Sequence, residues 1–389
     1  MQEAAAAATV VKISGAMTNL VFKAHSPLAG AVIVRVFGPG SRLFSRRQER
    51  SVFLAAARQG LGPRCLLEFG NGRVEEFLPG TTLTAEGMRR PRVAAAVATA
   101  LAQFHVAMHE ALPLVGGDAG CVAGDGVEGG GRSALWARLS RWVAIAQQVA
   151  PADSRALGLD AALEEVDAMQ EAIQRCDRRW GGVKLLVFCH NDLQHANILL
   201  QDGGDAAVAG EGAGRDEPLV EAKLIDFEYA MVGEAEFDIA NHFCEYAADY
   251  HGSSEAHILD WSRLPTWQEQ TFFCRAYAAA VLQRFGSSAL ARALQRCAAP
   301  GVAGGSLAEA DGVEEAAAAA VRRRAVAFMP LSHLMWAAWG LIQSKTSDVS
   351  AEFDYRAYAE QRMMRYHATK VGLEDVGGEE GGGGGSGGV

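Results

Sequence analysis

Between residues 185 and 201 the chain reads LLVFCHNDLQHANILLQ, an apolar run of strand character, a short polar burst, and a second apolar run. Further on, AKLIDFEY (222–229) is another apolar strand that ends in an acid, Asp226, with Glu228 just beyond. A polar group taken out of water must find a partner. A chain that sets His190, Asn191, Asp192, Gln194 and Asn197 between two buried strands has therefore given that loop a task. The spacing puts Asp192 and Asn197 on one tight loop, and the second strand brings Asp226 toward the same place.

The rest of the chain divides into two kinds of pattern. Residues 11–79 hold the strand-like LVFKA (20–24), AVIVRVF (31–37) and RVEEFL (73–78), and one helical stretch, SRRQERSVFLAAARQG (45–60). From RRPRVAAAVATALAQFHVAMHE onward the spacing turns helical, with Val93, Val97, Leu101 and Phe104 along one face. The expectation is an α+β, two-lobed protein: a small β-rich lobe over 11–80 and a larger, mainly helical lobe over 81–372. Three Gly-, Ala- and acid-rich stretches (115–132, 202–218 and 299–312) read as surface loops, and the tail 373–389 as disordered.

With 389 residues the chain is long enough for more than one core and a deep cleft. Its 36 Lys+Arg against 46 Asp+Glu, a net charge of -10, disfavour nonspecific attraction to nucleic acid or to an anionic membrane surface, while phosphate can still be bound locally. The seven Cys are scattered without a CxxC pair, which indicates neither a disulfide framework nor a zinc site. The start MQEAAAAATVV lacks the basic residues of a secretory signal, and no uninterrupted apolar stretch has the length of a transmembrane span. These features fit a soluble, cytoplasmic protein.

Three oxygen-bearing side chains converging on one point meet the needs of phosphoryl transfer from ATP. The reaction requires a carboxylate to orient the attacking hydroxyl and hard oxygen ligands to hold Mg²⁺ against the phosphates. The interval from Asp192 to Asn197 equals that of the kinase loop H-R-D-x-x-x-x-N, and Asp226 stands where the kinase metal-binding Asp would, although DFE replaces Asp-Phe-Gly and no Ala-Pro-Glu follows. An isolated Asp at a strand end more often caps a turn; the joint pattern favours chemistry. His190 is assigned to bracing the loop, and Asp238 to anchoring it.

Taken together, HNDLQHANILL, KLIDFEYA, EFDIANHFCEYAADYH, GNGRVEEFLPGTTL and LMWAAWGLIQSK…EFDYRAYAEQR resemble the choline/ethanolamine kinases, a branch of the protein-kinase-like fold, with wording nearest to the plant-type choline kinases. The resemblance implies that Asp192 is the catalytic base, with Gln194 and Glu228 beside it, and that Asn197 and Asp226 are the magnesium ligands. Arg35 takes the place of the protein-kinase lysine, with Glu49 as its ion-pair partner. Ser14, Gly15, Thr18 and Asn19 form the phosphate-covering hairpin, with Ala16 where the family has a second glycine. The backbone of Glu76, Phe77 and Leu78 reads the adenine edge.

The same resemblance places Trp336, Trp339, Tyr250, Glu245 and Tyr358 around an ammonium head group. Aromatic faces suit a quaternary ammonium, which has no hydrogen to donate. Phe353 and Tyr355 either join this cage or fill the core. The implied function is phosphorylation of choline or ethanolamine with ATP and Mg²⁺, the first step of the CDP-choline and CDP-ethanolamine routes, by a chain that forms a homodimer if it follows its family. An ethanolamine-specific kinase, an aminoglycoside phosphotransferase and an inactive kinase-like binding protein are the alternatives. Gln194 leans the reading toward choline.

Overall fold

The structure, a computed structural model, describes residues 8–13, 19–38, 43–112, 134–179, 185–201, 220–250, 255–298, 307–347 and 353–370. The proposed loops 115–132 and 202–218, the tail 373–389, and Ser14, Gly15 and Thr18 lie outside them.

Five antiparallel strands form the first layer: β1 (Thr9–Ile13), β2 (Asn19–Ser26), β3 (Gly30–Phe37), β4 (Cys65–Phe69) and β5 (Gly72–Glu76), in the order β1-β2-β3-β5-β4. Between β3 and β4 runs α1 (Arg46–Arg58), started by Ser45, whose side chain accepts from the N–H of Gln48. Its Val52, Phe53, Ala55 and Ala56 are buried. In the β3–β5 register Arg35 faces Arg73 and Ile33 faces Glu75. The approach is close because Gly72 has no side chain. A Cβ there would lie 2.3 Å from the carbonyl oxygen of Arg35.

Helices make up most of the remainder. In α2 (Pro91–Ala111) the stripe Val93, Val97, Leu101 and Phe104 is buried as the spacing predicts, and burial of each such side chain contributes about 1.5–3 kcal/mol. After α3 (Ala134–Val149), α4 (Pro151–Leu157) and α5 (Leu159–Arg179) come the short strands that carry the polar loop. They are β7 (Leu186–Cys189), which pairs with β10 (Met231–Glu234), and β8 (Ile198–Gln201), which lies between β6 (Thr81–Thr82) and β9 (Glu221–Leu224). The two strands flanking the loop thus belong to separate small sheets. The loop has to cross from one to the other.

The chain closes with α6 (Ala235–Glu245), α7 (Trp267–Ala279), α8 (Ala289–Ala298), α9 (Leu307–Thr346) and α10 (Tyr355–Lys370). The stretch 299–312 is not all loop, since helix begins at Leu307. Its Leu-Ala-Glu-Ala sequence is made of strong helix formers. The 40-residue α9 packs against α10, α6, α7 and α3. By length and composition its segment Gly312–Thr346 would cross a membrane, but 94% of its most apolar window is buried inside the protein, as befits a core helix.

Candidate active site

The polar loop is held from below by one carboxylate. Asp238, on α6, accepts the backbone N–H of His190 at 2.6 Å and of Asn191 at 2.8 Å. It also accepts from Nε2 of His105 at 3.0 Å, while the hydroxyl of Tyr277 meets Nδ1 of His105 at 2.8 Å. Burial works against the charge of Asp238, but these donors and His105 outweigh it and hold the acid below its ordinary pKa. The ligand-type atoms of His105, Cys189 and Asp238 lie within 4.8 Å of one another. The carboxylate there is already spent on the loop, in keeping with an anchor.

Two residues of the site have left-handed backbone, Asn191 at φ 64° and Asp226 at φ 67°. Asn and Asp tolerate that region better than other side chains. The Asn191 turn is fixed by its own Nδ2, which donates to the carbonyl of Tyr229 at 3.0 Å. His190 ties the loop to the strand before Asp226, its Nε2 donating to the carbonyl of Ile225 at 2.9 Å. Its Nδ1 accepts the N–H of Asp192 at 3.3 Å. Burial lowers its pKa, and a ring that donates from Nε2 while accepting at Nδ1 carries a single proton. On the far side Nδ1 of His242 donates to the carbonyl of Leu193 at 2.8 Å.

Asp192, Asn197 and Asp226 meet at one cavity of about 660 Å³, which Arg35, Gln194 and Glu228 also line. Nδ2 of Asn197 donates to both the backbone oxygen and Oδ2 of Asp192, each at 2.9 Å. Its carbonyl oxygen is therefore the end left to meet a cation. Asp226 accepts from Nη1 of Arg35 at 3.2 Å. Burial pushes Asp192 well above the ordinary carboxylate range, and the charges of Glu245, Asp226 and Glu228 push it further. Hard oxygen donors crowded with negative charge are a donor set for a magnesium-type ion, so the residues present fit the metal.

Arg35 does not pair with Glu49. Its Nε donates to Glu75 at 2.9 Å, Glu75 is shared with Nε of Arg73 at 2.8 Å, and Arg73 reaches Glu49 at 2.6 Å. The β3–β5 register sets the two arginines side by side, and a carboxylate between them relieves the repulsion. Glu49, reaching in from α1, then neutralises the more distant Arg73. Burial opposes the charge of Arg35, yet Asp226 and Glu75, with Glu228 beyond, hold its pKa above the ordinary value. Removing one member of such a buried pair costs about 3–5 kcal/mol.

Among the remaining expected nucleotide residues, Glu76, Phe77 and Leu78 line the cavity. The carboxylate of Glu76 itself turns to Arg64 at 3.0 Å. Asn19 differs from expectation. It does not line the cavity but donates from Nδ2 to Glu228 at 3.1 Å and accepts from Arg46 at 3.0 Å. This buried amide braces β2 against the segment after β9.

The same cavity has an aromatic lining as well. Trp336 and Trp339, three apart on α9, pack edge to face with centroids 5.4 Å apart and planes at 73°. Their N–H groups are satisfied, Trp336 by Oδ1 of Asn241 at 2.6 Å and Trp339 by the hydroxyl of Tyr229 at 2.8 Å. Tyr358 lies 6.0 Å from Trp339 between centroids, and Phe353 lies 5.5 Å from Tyr358. Trp336, Trp339, Tyr358, Tyr250, Phe353 and Glu245 all line the cavity. Tyr355 is buried behind Trp339 and lies outside the lining.

Among the partners that escaped the sequence reading are Arg73, Glu75, Tyr229 and Arg362. The first two had a signal, since charged residues spaced two apart in GRVEEF fall on one face of a strand. Arg362 follows Tyr358 by one helical turn, donates from Nε to its hydroxyl at 3.0 Å, and reaches Glu245 at 2.5 Å.

The model of the choline/ethanolamine kinase family matches residues 10–367. The chain is 32% identical over 372 residues to probable choline kinase 3 of Arabidopsis thaliana, covering 94% of this chain and 87% of that protein. With probable choline kinase 2 of the same plant the identity is 30% over 371 residues, covering 94% and 86%. A solved choline kinase from Cryptosporidium parvum shares the fold with a TM-score of 0.68 at 21% identity, covering 96% of this chain and 91% of that one. The match takes in both lobes, the polar loop and the paired tryptophans, and the chain belongs to the choline/ethanolamine kinase family.

Proposed function

We propose that the protein transfers the γ-phosphate of ATP to the hydroxyl of choline, giving phosphocholine and ADP. The observation that carries this reading is that the carboxylate–amide–arginine set and the aromatic set open into one cavity of about 660 Å³. A nucleotide and a small amino alcohol then meet end to end, with Asp192 between them. The choline oxygen forms its bond to the γ-phosphorus as the bond from that phosphorus to the ADP oxygen breaks. Asp192 takes the hydroxyl proton. Its hydrogen bond from Asn197 keeps the carboxylate oriented, and proton handling by a positioned carboxylate is typically worth about 10²–10⁴ in rate.

Asn197 and Asp226 would hold Mg²⁺, which supplies neutralisation of the β- and γ-phosphate charge. Arg35, which already bridges Asp226 and Glu75, offers a guanidinium able to grip two phosphate oxygens. For the head group, Trp336, Trp339, Tyr250 and Tyr358 line the cavity, and the carboxylate of Glu245 among them already accepts from Arg362 and Tyr250. That supports a trimethylammonium, attracted by ring faces at about 0.5–2 kcal/mol per contact. The test is a competition: choline and ethanolamine at equal concentration, with ATP and Mg²⁺, products resolved by phosphorus NMR. Phosphocholine in excess is expected. Phosphoethanolamine in excess, or no ADP at all, would contradict the reading.

A further inference from the structure

Arg362, on α10, is 0% exposed and has three ends engaged at the ammonium pocket. Nη2 donates to Oε1 of Glu245 at 2.5 Å, Nε to the hydroxyl of Tyr358 at 3.0 Å, and Nη1 approaches Nδ1 of His333 at 3.4 Å. Its guanidinium also lies over the Tyr358 ring, 5.1 Å from the centroid. The other oxygen of Glu245 accepts from the hydroxyl of Tyr250 at 2.8 Å. Glu245 is therefore a buried carboxylate with a strong donor on each oxygen and a full positive charge against one of them.

A primary ammonium brings three N–H donors into the pocket and needs acceptors for them, because a buried donor left unpaired loses its hydration without return. A trimethylammonium brings none. It needs ring faces and a field that is negative without being directional. Building on the reading above, we propose that Arg362 is a positioning residue that sets head-group choice: by engaging Glu245 and pinning Tyr358 it keeps the ring faces in place for a quaternary ammonium and makes Glu245 a poorer acceptor for a primary one. Without Arg362 the Oε1 of Glu245 would be free to accept from a primary ammonium, and the Tyr358 wall would lose the contact that orients it.

The experiment is steady-state kinetics of the full chain with choline and with ethanolamine, for wild type, Arg362→Met and Arg362→Lys. In Arg362→Met the ratio of kcat/KM for choline over ethanolamine falls by about tenfold or more, equivalent to about 1.4 kcal/mol. The change lies mainly in the two KM values, with the KM for ATP unaltered. Arg362→Lys, which keeps the charge on Glu245, retains most of the wild-type ratio. Should Arg362→Met not fold, Tyr250→Phe frees only Oε2 without stranding a charge and lowers the same ratio by a smaller factor. An unchanged ratio in a folded Arg362→Met, or in Tyr250→Phe where the former does not fold, overturns the role of Arg362 alone. Wild-type protein that phosphorylates neither amino alcohol, or prefers ethanolamine, overturns the parent reading and this one with it.

Discussion

The proposed phosphate end of the cleft and its aromatic end line one cavity with Asp192, and they are stabilised by different physics. At the phosphate end formal charges alternate through Glu49, Arg73, Glu75, Arg35 and Asp226, each within 3.2 Å of the next. Two left-handed residues aim the side chains there. Each member is paired with a neighbour of opposite charge, so truncating one strands another. The aromatic end rests on rings packed edge to face, with one buried pair, Glu245 and Arg362, behind them. Ring contacts are individually weak and share the load. The contrast teaches that damage at the first end should stop the reaction, whereas damage at the second should weaken the hold on substrate.

The largest effect belongs to Asp192→Asn, which keeps the shape and removes the proton acceptor. Turnover should fall by about 10²–10⁴ with little change in the KM for choline, read by ADP release. A large rise in KM at constant turnover would erase the distinction between the two ends.

Acid should attack the phosphate end through its supports. Burial lowers the pKa of His242 from 6.5 to about 4, so the folded protein holds this ring neutral where the unfolded chain would protonate it. The stability that results is present in full above about pH 6.5 and is lost as pH falls toward 4, up to about 3 kcal/mol if the whole shift is realised. A denaturant midpoint followed from pH 7 to 4 should decline, and His242→Gln, which keeps a donor for Leu193 without a titrating ring, should flatten that decline. An identical decline in the variant would remove His242 from the account.

The smallest effect is expected at the aromatic end. Trp339→Phe retains a ring face but loses the hydrogen bond to Tyr229, and the KM for choline should rise by a factor of about 5, within the span of one cation–π contact. The KM for ATP should stay where it was. Equal rises in both would mean that the two ends are mechanically one.

What the sequence disclosed tracks how local each contact is. Asp192 and Asn197 share one loop, and their hydrogen bond at 2.9 Å joins residues that spacing alone brings together. The stripe on α2 was legible for the same reason, being periodic within one element. The partner of Arg35 was not, because it depends on the β3–β5 register, which no single strand encodes. Glu49 sat at a plausible distance along the chain but answers to Arg73. The resemblance puts Asn19 in the phosphate-covering hairpin, whereas Glu228 and Arg46, remote in sequence, claim its amide. The start of α9 was hidden by Gly- and Ala-rich composition that loops and helices share.

The central claim is that one cleft holds a divalent ion and the nucleotide phosphates at one end and an ammonium head group at the other. It is tested most directly by a crystal structure of the protein with a non-hydrolysable ATP analogue, Mn²⁺ and choline. The account predicts anomalous density for Mn²⁺ bonded to oxygens of Asn197 and Asp226, the choline hydroxyl within hydrogen-bond reach of Asp192, and its methyl groups against Trp336 and Trp339. Metal bound away from those two side chains, or choline seated outside the aromatic end, would contradict it.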